Sequence, residues 1–387
     1  MPLPLLEHPL REELVLELHA RPYEPLQPPE QASHLAVVTG EAEAAASRDH
    51  LAQLCARYGA PPPAEDAGFY SQDLGPFRVR WERHTEFFTY SFFRQAPFDA
   101  PFAQPVIELV PTDWLEALPG RVLGAVHVAV EPREYPERSA EERTRLFGGN
   151  AVVGSEVAGG AAYAWSDMRM HDDRFSRILV RDVSLSKRQA GRLVQRLLEI
   201  NTYRLMALLA LPLARETSPR VYAADRRLAD IAARMADSRD DSTDADLLGE
   251  LTQLAGEIEE EAAATSYRFG AARAYHAIVR QRLEELRQDR IQGLQTFSEF
   301  LERRLAPAMQ TCQDTGERQE TLSERAARIT SLLRARVEVG LEEQNRDLLA
   351  SMNRRARLQL RLQETVEGLS VVAISYYLVG LLGYVLK

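Results

Sequence analysis

The sequence predicts an α+β protein: an N-terminal mixed α/β head with a small sheet, a long helical stalk, and a C-terminal transmembrane helix. Three observations carry that reading. In the first half, short runs rich in aromatic and β-branched residues alternate with helical periods. Beyond Pro219 the chain is charged and rich in Leu and Ala, and it holds a single proline, Pro307. Gly368 to Leu386 then forms 19 consecutive uncharged positions. The boundaries that follow are a head over 1–185, a helical domain over 186–320, a stalk helix over 321–367 and a membrane helix over 368–387.

In the head, Pro9 to His19 reads as a short helix followed by a proline-rich connector. His34 to Thr39 reads as a strand, and Glu41 to Tyr58 as a helix. Phe77 to Trp81 and Thr85 to Phe92 read as paired strands, and Val122 to Val130 as another. Ser139-x-x-Glu142 is a capping box that opens a helix to about Phe147. Ala151 to Val157 and Ala161 to Met168 form a hairpin around Gly159-Gly160, and Arg177 to Val183 is a further strand.

The pattern changes at Ser186-x-x-Gln189, a second capping box. Its helix runs to about Leu211 and ends at Pro212. Ala236 to Asp246 is an acidic turn between helices. Leu247 to Ala306 is helical, and Thr321-x-x-Glu324 caps the last helix. Leu322, Ala326, Ile329, Leu333, Val337 and Leu341 recur there at spacings of three and four, as in a coiled-coil or bundle seam.

The apolar segment is the clearest signal. At about 1.5 Å per residue it reaches roughly 28 Å, close to the roughly 30 Å hydrocarbon core of a bilayer. Arg354, Arg355, Arg357 and Arg361 precede it and Lys387 follows, so by the positive-inside rule the long N-terminal part is cytoplasmic, at the bacterial inner membrane. Ser370, Ala373, Tyr377, Gly380 and Tyr384 share one side of this helix, and each is small or carries a hydroxyl. Such stripes let helices approach closely in lipid, which predicts a homo-oligomer and leaves open a pore face.

Composition narrows the partners. A net charge of −10 excludes a general nucleic-acid binder. All but two of the basic residues are Arg, the exceptions being Lys187 and Lys387. Because that bias runs through the whole chain, Arg-favouring codon usage explains it better than anion recognition. Cys55 and Cys312 form no disulfide or zinc pattern, which suits a reducing compartment. The N-terminus carries charges too early for a signal peptide.

Candidate chemistry is sparse. Glu82, His84 and Glu86 alternate, and on a strand they would share one face. A His between two carboxylates could hold a divalent cation or act as a general base. A solvated strand face with cross-strand partners is the ordinary alternative. His171, Asp172 and Asp173 read as a solvated turn, and Gly148-Gly149 and Gly159-Gly160 as turn glycines without a phosphate-loop pattern. His8, His19 and Arg21 bracket the first helix and could bind an anion together. No nucleophile–base set appears, which places a hydrolase last.

Four separated stretches resemble a known family: His8-Pro9-Leu10-Arg11 with His19-Ala20-Arg21-Pro22; Trp81 to Phe87; Gly191 to Glu199; and Glu367 to Tyr377. They resemble a bacterial family of uncharacterised membrane-anchored proteins, the domain of unknown function 3422. The resemblance implies membrane anchorage, a second hydrophobic segment beyond Lys387, and no chemistry. The layout also resembles that of CorA-type magnesium channels, although Gly383-Tyr384-Val385 does not match their Gly-Met-Asn signature. Two functions follow as expectations. The leading one is a membrane-anchored homo-oligomer that conducts or senses a cation. The alternative is a non-conducting scaffold whose head binds partner proteins.

Overall fold

Polar and apolar residues alternate through the aromatic runs of the first half, and these runs pair into one sheet. The structure, a computed structural model, describes residues 8–17, 22–237 and 241–386. In chain order the elements begin with α1 (Arg11–Glu17), β1 (Glu30–Val38), α2 (Glu41–Arg57), β2 (Phe69–Asp73), β3 (Arg78–Arg83) and β4 (Phe87–Gln95). Next come α3 (Thr112–Glu116), β5 (Arg121–Glu131), α4 (Ala140–Leu146), β6 (Val153–Val157), β7 (Ala162–Ser166) and β8 (Ser176–Asp182). The remainder is α5 (Lys187–Leu208), α6 (Ala210–Asp237), α7 (Asp241–Glu285), β9 (Asp289–Arg290) and α8 (Phe297–Val385).

The sheet has nine strands in the order β2-β3-β4-β1-β5-β8-β7-β6-β9. Every pairing is antiparallel except β5 with β8. Two strands extend it beyond the sequence reading. Phe69–Asp73 carries mixed polarity and Asp289–Arg290 is only two residues long, so neither gives a periodic signal.

The described chain forms two compact units. The first takes the chain up to Glu216 together with Thr265–Gly316; the second takes Thr217–Ala264 and the chain from Glu317. In the first unit α5 lays Leu193, Val194, Leu197 and Ile200 on Val126, Val128, Ile178 and Val180 of the sheet, so helix and sheet share a core. A second core lies on the sheet's other face, where Leu51 and Leu54 of α2 meet Val37, Val79, Trp81, Phe88, Tyr90 and Phe92. In the second unit Leu322, Ala326 and Leu333 of α8 pack on Leu228 and Ile231 of α6 and on Leu247, Leu251 and Leu254 of α7. That part of the seam is therefore a bundle core within the chain.

Helix ends follow the capping rules, with two corrections. Ser139 and Ser186 form complete capping boxes with Glu142 and Gln189. The break after α5 falls at Leu209, and Pro212 sits in the first turn of α6, where a missing N–H costs nothing. Thr321 caps nothing, because its hydroxyl donates to the Glu317 carbonyl inside α8 at 2.8 Å. The box that opens α8 is Thr296 with Glu299, whose reciprocal bonds measure 3.0 and 3.1 Å. Pro307 lies within α8. The acidic turn at 236–246 is helical from Asp241 onward, and 238–240 lie outside the described residues.

Candidate functional site

Alternation along β1, β3 and β4 sends their side chains to opposite faces. One face feeds the α2 core. The other presents His34, Arg80, Glu82, Phe87, Thr89, Ser91 and Phe93 toward α5, which offers Gly191, Val194, Gln195, Leu198, Glu199, Thr202 and Tyr203. Between them lies a narrow cleft of about 40 Å³, closed on one side by Glu24 and Leu26 of the connector.

Gly191 sets the closeness of that connector. A Cβ there would stand 1.9 Å from the Glu24 carbonyl oxygen, so only glycine admits the chain. Leu26 is buried beside it, and its N–H donates to the Lys187 carbonyl at 3.1 Å. Arg192 adds a 3.0 Å bond to the Tyr23 hydroxyl.

The interior of the cleft is polar but internally balanced. His34 Nδ1 bonds the Ser91 hydroxyl at 2.7 Å and its Nε2 bonds the Thr202 hydroxyl at 3.0 Å. Burial, reinforced by the charge of Arg80 and by His84, lowers its pKa to about 3, so it is neutral. Arg80 donates from Nε at 2.6 Å, and also from Nη2, to Glu82 Oε1. Gln195 donates to Glu199 Oε1 at 2.8 Å, and Arg282 Nε donates to Glu199 Oε2.

The predicted trio of Glu82, His84 and Glu86 does not share a strand face. β3 ends at Arg83 and β4 begins at Phe87, and the turn between them is closed by His84 N–H donating to the Phe87 carbonyl at 2.8 Å. Glu82 and His84 remain neighbours, with Nε2 to Oε2 at 3.8 Å. Glu86 diverges. Arg268 of α7 donates to both its oxygens, at 3.1 and 2.6 Å. Burial first, then the hydrogen bond with Glu86, pushes the Tyr275 hydroxyl pKa up. Among the described residues no three His, Cys, Asp or Glu side chains gather as a metal would require.

His84 instead joins an aromatic neck. Its ring stacks on Phe87 at 4.2 Å, and Tyr203 stands edge-on to both rings. Tyr275 stacks on Tyr203 at 5.6 Å. His84, Phe87 and Tyr203 line both the cleft and a wider opening of about 450 Å³, which also meets Arg83, Tyr275 and Ile278.

The other predicted residues scatter. His171 is not a solvated turn residue: its Nε2 lies 3.0 Å from Asp167, a carboxylate fully withdrawn from solvent. Asp173 faces Arg177 at 3.3 Å and His127 at 4.0 Å. The Ser33 hydroxyl lies 2.9 Å from His127 Nδ1, which gives a Ser–His–Asp order, but Ser33 is fully buried and also accepts from the Ile107 N–H at 3.1 Å. A hydroxyl so enclosed meets no substrate. Gly148, Gly149, Gly159 and Gly160 all adopt positive φ and serve as turn glycines. His8 caps backbone locally, accepting from the Leu10 N–H, while His19 and Arg21 lie outside the described residues. Both cysteines are buried. Ser370, Ala373, Tyr377, Gly380 and Tyr384 are all exposed on α8.

Two helical stretches have the length and apolarity to cross a membrane, and packing separates them. The window in Lys187–Asp237 is half buried inside the protein, whereas that in α8 has mean hydropathy 1.8 and no buried residue. An α+β protein with a polar, aromatic-necked cleft and a bare apolar C-terminal helix is thus defined. The chain belongs to the DUF3422 family, described as a protein of unknown function, whose model matches residues 6–387. No curated protein and no solved structure matches it. Trp81 to Phe87 and Gly191 to Glu199, two of the stretches that carry the resemblance, supply opposite walls of the same cleft.

Proposed function

We propose that this chain is a membrane-tethered, self-associating protein whose cytoplasmic head, rather than its membrane helix, is the part that acts, and that it acts by binding. The observation that supports this best is the bareness of the α8 window. Leu369, Val372, Ile374, Leu378 and Leu382 are all more than half exposed, and each such side chain gains about 1.5–3 kcal/mol on leaving water. A bilayer offers that transfer along the whole window. The Arg cluster at 354–361 keeps the head on the inner-membrane cytoplasmic face. The test is fractionation. The intact chain stays with membranes through carbonate and high-salt washes, and deletion of Gly368–Lys387 releases it. Recovery of the intact chain in the supernatant without detergent would refute the tether.

A second reading, cation conduction or sensing as in CorA-type channels, draws on the hydroxyls of the Ser370, Ala373, Tyr377, Gly380 and Tyr384 stripe. A Tyr hydroxyl near mid-bilayer must meet either a partner or water. A Tyr377→Cys variant that reacts with water-soluble thiol reagents in liposomes, with cation flux through the full chain, would put conduction ahead. An inert thiol and no flux leave the binding head.

A further inference from the structure

We infer that the opening between the β3–β4 turn and α7 is a binding site for a small molecule with an oxyanion group, a carboxylate or a phosphate, and that Arg83 holds that group. This rests on reading the head as the part that acts, and it names what the head binds. The charges at this end of the sheet pair off until one is left. Glu82 Oε1 accepts from Arg80 Nε at 2.6 Å and also from its Nη2. Glu86 accepts from Arg268 on both oxygens, at 3.1 and 2.6 Å. Glu199 accepts from Gln195 at 2.8 Å and from Arg282. Arg83, the last residue of β3, is the surplus charge. Among the described residues its half-buried side chain makes no hydrogen bond, ion pair or ring contact.

Arg83 lines the opening of about 450 Å³, together with Thr85 of the turn, Tyr203 of α5, and Tyr275 and Ile278 of α7. That volume falls within the size range of small-molecule sites. Thr85 adds a second donor two residues away, an exposed hydroxyl that likewise makes no bond among the described residues. A guanidinium presents its N–H groups in a planar fork that fits two oxygens of a carboxylate or a phosphate. A cation finds no counterpart there. Glu82, Glu86 and Glu199 are each held by an arginine, and drawing one off would leave that arginine unpaired. An oxyanion adds to Arg83 without breaking any of these pairs, and Ile278 gives the rest of the ligand an apolar contact.

The experiment uses the full chain in detergent micelles and isothermal titration calorimetry at constant ionic strength, with benzoate, phenyl phosphate and benzylamine as probes. At least one of the two anions binds, and benzylamine binds at least about tenfold more weakly. Binding of benzoate alone makes the ligand a carboxylate, and binding of phenyl phosphate alone makes it a phosphate ester. Arg83→Gln lowers the affinity for the anion that binds about tenfold or more, as expected for the loss of a charged hydrogen-bond donor. Because that side chain makes no bond among the described residues, the melting temperature of the unliganded variant stays within about 2 °C of the parent. Arg280→Gln, at an exposed position of α7 outside the opening, leaves the affinity within about twofold and so separates this site from general surface charge. No heat from either anion up to about 10 mM would overturn the inference. So would benzylamine binding as tightly as the anions, or an affinity in Arg83→Gln no lower than in Arg280→Gln. The assay needs no bilayer, so failure here leaves the tether standing, and failure of the fractionation leaves the site.

Discussion

Replacing Gly191 by alanine tests whether the cleft is built as described, because the expected sign is opposite to the usual one. In a helix interior, Gly→Ala stabilises by about 1 kcal/mol, since alanine loses less backbone entropy. At position 191 the new Cβ would lie 1.9 Å from the Glu24 carbonyl oxygen, more than an ångström inside the 3.0 Å below which such contacts essentially never occur. Neither atom belongs to a flexible side chain, so the connector must lift. Lifting it exposes Leu26, at about 2 kcal/mol, and breaks the bond from its N–H to the Lys187 carbonyl, at about 1 kcal/mol. Set against the helical gain, the net loss is about 2 kcal/mol. Gly270, also helical and in the same unit, has nothing within 4 Å of its would-be Cβ, so Gly270→Ala gains about 0.5–1 kcal/mol. The assay is urea unfolding of the full chain in detergent, followed by tryptophan fluorescence. Trp81, Trp114 and Trp165 all belong to the first unit, so the transition reports the unit that holds both glycines. A Gly191→Ala midpoint at or above that of the parent would refute the account of the cleft wall.

Three further outcomes are expected. Burial lowers the pKa of His34 to about 3 and that of His127 to about 4. Their unfolded forms protonate near pH 6.5, so the stability they contribute is present above pH 6.5 and is lost as pH falls toward 4, by about 1.4 kcal/mol per pH unit for each; unfolding midpoints at pH 7 and pH 5 check this, and a flat profile would refute it. Leu333→Ala removes a fully buried side chain of the second unit and costs about 2–4 kcal/mol, whereas Leu348→Ala, exposed on α8, costs under about 0.5 kcal/mol; circular dichroism on urea titration separates them. On the proposed self-association, Gly380→Leu shifts size-exclusion with light scattering in detergent toward the monomer, while Leu378→Ala does not, because bulk on the small-residue side holds helices apart.

Local chemistry was readable from the sequence wherever a signal closes within a few residues. Ser139 and Ser186 announce their helices because the cap needs only the residue three positions on. The same pattern misleads at Thr321, where Thr-x-x-Glu falls inside a helix that has already begun. The box at Thr296 and Glu299 is chemically identical, and only the strand before it, β9 pairing with β6, shows which of the two starts α8. Proline misled in a related way. Pro212 and Pro307 read as breaks, yet the first sits where no N–H is needed and the second is carried within α8. The Leu322 to Leu333 periodicity was legible as a seam, but a seam does not name its partner. The partners are Leu228, Ile231, Leu247, Leu251 and Leu254, as many as about a hundred residues away along the chain.

The cleft was invisible for a physical reason, not for want of signal. Most residues in it belong to ordinary alternating strands or to an amphipathic helix, and only Glu24, Leu26 and His84 come from the connector and a turn. Arg80 and Glu82 occupy the polar phase of β3, and a polar phase usually means solvent. Here β4 and β1 carry Thr89, Ser91 and His34 in the same phase, so the polar positions line up across three strands through the registers Arg80 with Ser91 and Ser91 with His34. α5 then covers that phase with a face that mixes Val194 and Leu198 with Gln195, Glu199 and Thr202. Such a surface is costly to bury unless each group is paired inside it. His34 with Ser91 and Thr202, Arg80 with Glu82, and Glu199 with Gln195 and Arg282 supply the pairs.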